Sequence, residues 1–184
     1  MRIAVFGGSF DPPHIAHEKI VFEALEKLDI DKLFIVPTYL NPFKADFHIE
    51  PKSRFMLLKK LFKNEEKIEI CDFEIKQNRK VPSYETISYL KKYHDLSKIY
   101  LIIGSDNFKS LEKWYKIDLL KKDVEFVLAK RIGFLNENLD SIKTLNIDID
   151  ISSTNLRNNI DLKFIPKKIQ NDVKTLFKTN KKGN

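Results

Sequence analysis

The chain has only one cysteine, Cys71, and no apolar run long enough to cross a membrane. A single cysteine excludes an internal disulfide and is typical of proteins in a reducing compartment. No N-terminal signal pattern is present, and a membrane helix would need about 20 mainly apolar residues. These absences predict a soluble, cytoplasmic protein without a membrane partner.

Metal-ligating residues are also scarce, with four histidines, one cysteine and no HExxH segment. A structural zinc site needs four nitrogen or sulfur ligands in close spacing, which this sequence does not offer. We therefore expect no metal held mainly by protein side chains.

The net charge of +7 is concentrated near the end of the chain, where residues 163–184 contain seven lysines and one aspartate. Apolar residues recur there at helical spacing, which predicts an amphipathic closing helix with a solvated lysine face. Residues 179–184 are expected to be disordered. Without an aromatic-rich sheet or a recognition helix, this charge does not indicate a nucleic-acid partner.

Strand and helix patterns alternate along all 184 residues, without internal repeats or a linker. Alternation of this kind predicts an α/β fold, a doubly wound, Rossmann-like parallel sheet forming a single domain over 1–184. The expected strands cover 2–6, 32–36, 68–73, 99–103, 124–129 and 147–151. The expected helices cover 15–28, 51–63, 83–94, 107–121 and 155–162, before the closing helix.

The most informative segment is a turn, Gly7-Gly8-Ser9-Phe10-Asp11-Pro12-Pro13, followed by His14-Ile15-Ala16-His17. It begins where a buried strand breaks at two glycines, and its prolines suit the first turn of a helix. His14 and His17 would share one edge of that turn, where free backbone N–H groups and the helix dipole favour an anion. Alone, such a histidine pair is more often a surface or capping feature.

A second segment, Ile151-Ser152-Ser153-Thr154-Asn155-Leu156-Arg157, lies on another predicted strand-to-helix turn. Its hydroxyls alone would be read as helix caps. Arg157 changes that reading, because a cation near a helix N-terminus is unfavourable unless an anion offsets the dipole.

With these two segments the chain resembles the nucleotidyltransferases that carry a GGSFDP turn, an HxGH signature and an ISSTxxR segment. Within them the closest likeness is to the nicotinate-nucleotide adenylyltransferases. Ala16 stands where the family has glycine, and we expect only a small cost in ATP affinity from its methyl group. The ATP-binding residues that the resemblance implies are Gly7, Gly8, Ser9, Phe10, Gly104, Asp106, Ile151, Ser152, Ser153, Thr154 and Arg157.

Three weaker segments are similar to the substrate-binding parts of the same family. In the first, Asn41-Pro42-Phe43-Lys44, phenylalanine replaces a histidine and the lysine is kept; in the second, Glu85 stands where threonine is usual. The third is Gly104-Ser105-Asp106-Asn107 followed by Trp114, which we expect to be partly exposed on a helix and to stack on a pyridine ring. The substrate-binding residues implied are Asn41, Tyr84, Glu85, Trp114 and Tyr115, with the backbone amides of Glu85 and Tyr115 near the substrate carboxylate.

The resemblance implies adenylyl transfer from ATP to nicotinate mononucleotide, with Mg²⁺ held mainly by the ATP phosphates. His14 and His17 would contact the α- and β-phosphates, and Lys44 and Arg157 would neutralise the triphosphate. Asp106 would bind a ribose hydroxyl, and Asp11 would be structural. The segment 38–50 is expected to be a mobile loop over the crevice, and a homo-oligomer is neither predicted nor excluded.

Four alternatives remain at this stage. Phosphopantetheine adenylyltransferases share the phosphate machinery but have no place for the Asn41, Tyr84 and Trp114 set. A cytidylyltransferase would lack the ISST form, and a class I aminoacyl-tRNA synthetase would need a tRNA-binding region and a KMSKS segment. A non-catalytic nucleotide sensor on the same fold is the fourth, and pyrophosphate release would distinguish it from an enzyme.

Overall fold

The computed structural model describes residues 1–42, 44–108, 110–131, 142–158 and 160–180. Six parallel strands form one sheet in the order β3-β2-β1-β4-β5-β6. They are β1 (Arg2–Gly8), β2 (Lys32–Pro37), β3 (Ile68–Ile70), β4 (Lys98–Gly104), β5 (Glu125–Arg131) and β6 (Lys143–Ile147). The predicted doubly wound α/β class is confirmed.

The helices alternate with these strands along the chain. They are α1 (Ile15–Lys27), α2 (Pro51–Leu61), α3 (Phe73–Lys76), α4 (Ser83–Tyr93), α5 (Ser105–Phe108), α6 (Ile117–Asp123), α7 (Ser153–Asn158) and α8 (Gln170–Asn180). Short 3₁₀ helices cover Leu111–Lys113, Leu162–Phe164 and Lys167–Ile169.

The core lies on both faces of the sheet because successive strand residues point to opposite sides. Ala4 and Phe6 of β1 pack with α1, α2 and α8 on one face. Ile3 and Val5 pack with α4 and α6 on the other. The predicted closing helix is α8, which buries Val173 and Phe177 in the first of these clusters.

The chain enters the sheet at its centre, builds outward to β3, and then returns to place β4 on the other side of β1. The loops after β1 and β4 therefore leave the sheet in opposite directions. The crevice that opens at such a point is where ligands bind in open α/β sheets. All the sequence segments singled out above lie at or near this edge.

Several predicted boundaries were wrong. The strand expected over 147–151 is β6 at Lys143–Ile147, so the alternating residues after Ile147 belong to the loop before α7. The strand expected over 68–73 ends at Ile70, and Phe73 begins α3, which was not predicted. Its four residues are too few to show helical periodicity.

The helix expected over 107–121 is broken into three pieces. Lys116 has a left-handed backbone with φ of 53° and serves as the N-cap of α6, so no helix can run through it. The helix expected over 155–162 begins two residues earlier and ends at Asn158. Predicted disorder over 179–184 concerns residues that lie largely outside the described part of the chain, which ends at Asn180.

Candidate active site

The turn after β1 is shaped by Gly8 and Phe10. Phe10 has φ of 48°, a left-handed conformation that is uncommon for a bulky residue, and its ring is almost fully buried. A Cβ on Gly8 would lie 3.1 Å from that ring, a tight contact that glycine avoids. The Phe10 ring also packs against His17, with centroids 4.8 Å apart. The turn and the histidine therefore support each other.

His14 and His17 share one edge of α1, as predicted, but at different depths. Their rings are stacked with centroids 3.6 Å apart; His14 is 1% exposed and His17 is half-buried. His17 Nδ1 accepts a hydrogen bond from the backbone N–H of His14 at 3.2 Å. In neutral His17 the proton is then on Nε2.

The prolines were expected in the first turn of this helix, and that was wrong. Helix α1 begins at Ile15 with His14 as its N-cap, so Pro12 and Pro13 belong to the preceding turn, where the Asp11–Pro12 peptide bond is cis.

The segment 38–50, expected to be a mobile loop, is held by hydrogen bonds at its two ends. Both carboxylate oxygens of Asp11 accept backbone N–H groups, from His48 and Ile49, each at 2.8 Å. Asp11 is therefore structural, as predicted, although it holds a distant segment instead of capping its own turn.

Arg54 of α2 fixes the other side of this segment. It is 1% exposed, and its guanidinium donates to the carbonyl oxygens of Ser9, Thr38, Tyr39 and Ile49. Burial lowers the pKa of Arg54 from its usual value, although nearby Asp11 opposes that shift. Sequence reasoning missed Arg54 because an arginine on an amphipathic helix normally indicates a solvent-facing position.

Lys44 and Arg157 converge beside this turn, as predicted. They line a cavity of about 410 Å³ together with Asp11 and residues 45–48. Lys44 Nζ donates to Ser9 Oγ at 3.3 Å. Burial, and then the charge of Arg157, lower the pKa of Lys44. Two carboxylates also line this cavity: Asp11, which already accepts two backbone N–H groups, and the exposed Asp46. The neighbouring charges of Lys44 and Arg157 raise each other's energy, and a bound anion would offset that.

The hydroxyl segment before α7 lies across from this turn. Ser153 Oγ donates to Pro12 O at 3.2 Å, and Thr154 Oγ1 accepts from Arg157 at 2.9 Å. A second Arg157 nitrogen donates to Asp11 O at 3.0 Å. Ser152 Oγ accepts the Asn155 N–H, as a helix cap does. Ile151 is buried in the core, so its side chain is structural.

A second, more apolar cavity of about 290 Å³ lies at the ends of β1 and β4. Asn41, Trp114 and Tyr115, three of the predicted substrate residues, line it. Its other lining residues are Gly7, Gly8, Thr38, Pro42, Glu74, Val81, Pro82, Ser83, Leu101, Ile102, Ile103, Asn107 and Lys113. Thr38, Asn41 and Pro42 line this cavity, and residues 44–48 of the same segment line the first one.

Trp114 is half-buried, as expected, but it follows a 3₁₀ turn and is not part of a helix. Its indole Nε1 is buried and has no hydrogen-bond partner among the described residues. Tyr115 is 53% exposed and contacts Tyr84 edge to face, with Lys116 above both rings. Tyr84 supports the rim but does not line the cavity.

The Glu85 backbone amide, expected near the substrate carboxylate, makes a hydrogen bond within its own turn. That N–H donates to Pro82 O at 2.9 Å, because Glu85 lies in the first turn of α4, and Ser83 is the residue of this turn that lines the cavity. The Glu85 carboxylate pairs with Arg79 at 2.5 Å.

Glu74 is a cavity residue that sequence reasoning missed. It is 5% exposed, and its Oε1 accepts from Thr86 Oγ1 at 2.7 Å. Burial raises the pKa of Glu74 to about 7, the nearby charge of Glu85 acts in the same direction, and the Thr86 hydroxyl opposes it. A glutamate within a Lys- and Arg-containing segment gives no sequence signal of burial.

Gly104 ends β4 beside the apolar cavity, and Asn107 of α5 lines it. The side chain of Asp106, assigned to a ribose hydroxyl, and residue Phe43 lie outside what the structure describes.

The described residues contain no group of three or more acidic, histidine or cysteine side chains that could hold a metal. They also contain no helix with the length and apolar character needed to cross a bilayer.

Comparison with known proteins agrees with this geometry. A family model described as cytidylyltransferase-like matches residues 5–159. A "Probable nicotinate-nucleotide adenylyltransferase" of Aliarcobacter butzleri is 59% identical over 98% of this chain and 100% of its own length. One of Campylobacter fetus with the same description is 50% identical over 97% of each chain.

A solved structure has the same architecture. The nicotinic acid mononucleotide adenylyltransferase of Plasmodium falciparum, complexed with NaAD, is 25% identical, with a TM-score of 0.74 over 95% of each chain. The chain thus belongs to the cytidylyltransferase-like family and, within it, to the group of nicotinate-nucleotide adenylyltransferases.

Proposed function

We propose that this protein transfers the adenylyl group of ATP to nicotinate mononucleotide, forming deamido-NAD and pyrophosphate. One observation carries the proposal: at the switch point of the sheet, the chain segment after β2 lines both a cavity that contains Lys44 and Arg157 and an apolar cavity that contains Trp114 and Tyr115. The first suits a triphosphate, and the second suits a flat pyridine ring.

The chemistry needs no nucleophile from the protein. An oxygen of the mononucleotide 5′-phosphate attacks the α-phosphorus of ATP; a new P–O bond forms, and the bond to the β-phosphate oxygen breaks. The protein has to align the two substrates and stabilise negative charge on the α-phosphoryl oxygens and on the departing pyrophosphate.

His17 Nε2–H is suited to donate to the α-phosphoryl oxygens, since its Nδ1 is already engaged. Lys44 and Arg157 supply positive charge where the pyrophosphate would leave. His14 is assigned to the phosphates by resemblance, and its burial in this structure makes a supporting role for the His17 ring the better-founded one.

Mg²⁺ forms part of the proposal as the ion that would neutralise the phosphate oxygens of ATP. The described residues contain no acidic cluster that could hold it, and Asp11, the buried acid that lines the cavity with Lys44 and Arg157, is engaged by two backbone N–H groups. These residues would suit a Mg²⁺ ion that is held by the ATP phosphates and water. Location in the cytoplasm also remains a proposal, resting on the single cysteine.

The test is to mix the protein with ATP, Mg²⁺ and nicotinate mononucleotide and to measure pyrophosphate together with the mass of the dinucleotide. Parallel reactions contain phosphopantetheine, or CTP in place of ATP. We expect pyrophosphate and deamido-NAD in equal amounts from the first mixture only. Binding of ATP without pyrophosphate release would instead support the sensor alternative.

A further inference from the structure

The apolar cavity at the ends of β1 and β4 has unpaired polar atoms in its lining residues. Among the described residues, Glu74 Oε2, Thr38 Oγ1 and Trp114 Nε1 are buried and have no hydrogen-bond partner, and all three residues line this cavity. Buried polar groups in folded proteins are nearly always bonded. Three orphans around one cavity indicate that its ligand supplies the partners.

Of the three, Glu74 is the one whose hydrogen-bonding character can change. Its Oε1 is held by Thr86, so its orientation is fixed while Oε2 is left over. Protonated, Oε2 is a donor; ionised, it is an acceptor with a negative charge.

The charged neighbours of Glu74 do not neutralise it. On its own helix, Lys76 pairs with Asp72. From α4, Glu85 adds a like charge and pairs with Arg79. In the described part of the chain, no lysine or arginine forms an ion pair with Glu74.

The remaining elements around Glu74 contribute little charge. The residues of β1 and β4 that line the cavity are glycines and aliphatic side chains, and Lys113 is the described cation in its lining. On β2, against which α3 packs, Lys32 is paired with Glu69 of β3. Burial dominates, so the pKa of Glu74 lies at about 7.

A substrate carboxylate would change this balance. Two carboxylates that lie side by side where one is buried repel each other when both are ionised, so a shared proton is favoured. A carboxamide carries no charge, and its C=O and NH₂ can pair with either form of Glu74.

We propose that Glu74 is a specificity-determining residue that distinguishes the pyridine acid from the amide through its own proton. Protonated Glu74 donates Oε2–H to the substrate carboxylate, whereas ionised Glu74 repels the acid and accepts the amide. The inference rests on the proposed function, which brings a pyridine carboxylate into this cavity.

The first experiment measures kcat/KM for nicotinate and nicotinamide mononucleotide between about pH 6 and pH 9. The ratio of the two cancels the titration of the shared 5′-phosphate, of ATP and of His17. We expect the acid-to-amide ratio to fall about tenfold per pH unit above pH 7. In Glu74→Gln, which keeps the shape and cannot ionise, the ratio should be flat.

Two further variants make the test specific. Thr86→Val removes the hydroxyl that favours the ionised form, so the fall should move to higher pH. Glu66→Gln alters an exposed glutamate and should leave the profile as in the wild type. A ratio independent of pH in the wild type, or an unchanged slope in Glu74→Gln, would overturn the inference.

A binding measurement on the wild-type protein tests the inference without relying on variants. Titration calorimetry near pH 7.5, in buffers of different ionisation enthalpy, should detect more proton uptake with the acid than with the amide. Equal uptake would overturn the role of Glu74. Differential uptake without any turnover would instead contradict the proposed function and leave the Glu74 inference standing.

Discussion

At the scale of single residues, the candidate site depends on side chains in which one polar atom is held by the protein, and this orients the other polar atom. His17 shows this, because the hydrogen bond accepted at Nδ1 places the proton of the neutral ring on Nε2, the nitrogen proposed to donate to a phosphate. Glu74 shows it again, with one oxygen held by Thr86. Each role can be tested with a substitution that removes or replaces one polar group.

His17→Ala should lower kcat by about 10²–10³, the effect of removing one preorganised donor to developing charge. His17→Asn keeps a neutral donor and should retain more activity. Thermal unfolding should show a small loss, since one hydrogen bond is worth about 1 kcal/mol.

The matched control for this prediction is His94→Ala, at the C-terminal end of α4, which should keep full activity. A folded His17→Ala protein with wild-type kcat would remove α1 from the mechanism.

Trp114→Ala should weaken binding of nicotinate mononucleotide by about 1–3 kcal/mol, the scale for base–aromatic stacking, with ATP binding nearly constant. Equilibrium binding of each ligand measures this. Tyr93→Ala, which removes another exposed aromatic ring, serves as the control. Loss of ATP affinity in Trp114→Ala would show that the indole belongs to the nucleotide side.

The pKa of Glu74 also predicts a pH dependence of stability. It is raised from 4.5 to about 7 in the folded protein, so the folded chain holds this proton more tightly than the unfolded chain. The stabilisation is complete below about pH 4.5 and is lost as the pH rises through 7, by up to about 3 kcal/mol.

Urea unfolding at pH 5 and pH 8 measures this loss as the difference between wild type and Glu74→Gln. The variant should lose less stability at the higher pH. An identical pH dependence in both proteins would contradict the raised pKa.

At the scale of elements, the loops at the carboxyl edge of the sheet are held by α2 through Arg54. Four carbonyl oxygens from separate positions on the chain accept from this one guanidinium. The geometry of the 38–50 segment, which borders both cavities, therefore depends on a residue outside them.

Arg54→Ala should destabilise the protein by at least about 2 kcal/mol, because it leaves buried carbonyl groups without donors. It should also raise KM for both substrates. Arg54→Lys keeps the charge, but its three donors cannot reproduce the planar fork, so an intermediate loss is expected.

Lys52→Ala, an exposed position on the same helix, is the control for denaturant unfolding and kinetics. Wild-type stability in Arg54→Ala would show that the loops keep their structure without the Arg54 hydrogen bonds.

At the scale of the whole molecule, both faces of the sheet carry a buried cluster, and the basic end of the chain closes one of them through α8. Phe177 of α8 contacts His48 with ring centroids 4.6 Å apart, so the last helix also touches the segment that borders the cavities. This continuity supports the prediction of a single domain.

A single domain should unfold in one cooperative step. The fluorescence of Trp114, the only tryptophan, and far-UV circular dichroism should give coincident urea transitions. Phe177→Ala should shift both together, by about 3–5 kcal/mol, whereas Lys178→Ala should shift neither. Separated transitions would contradict the prediction.

The sequence by itself determined the fold class and, by resemblance, the family. It also predicted that the turn after β1, Lys44 and Arg157 contact a triphosphate, and that stays a prediction. These depend on local patterns: apolar strands, two glycines before a helix, and hydroxyls before an arginine. Such patterns can be recognised in the sequence because each involves only a few consecutive residues.

Only the tertiary structure decided the burial of Arg54 and Glu74, the depth of His14 and the engagement of the Glu85 amide. Each depends on which distant segments meet: Arg54 with carbonyls of Ser9, of Thr38 and Tyr39, and of Ile49, and Glu74 with Thr86 beside the cavity at the ends of β1 and β4. A charged residue on a short amphipathic helix has the same sequence signature whether water or protein covers it. What differs is the electrostatic environment, and that exists only once the chain has folded.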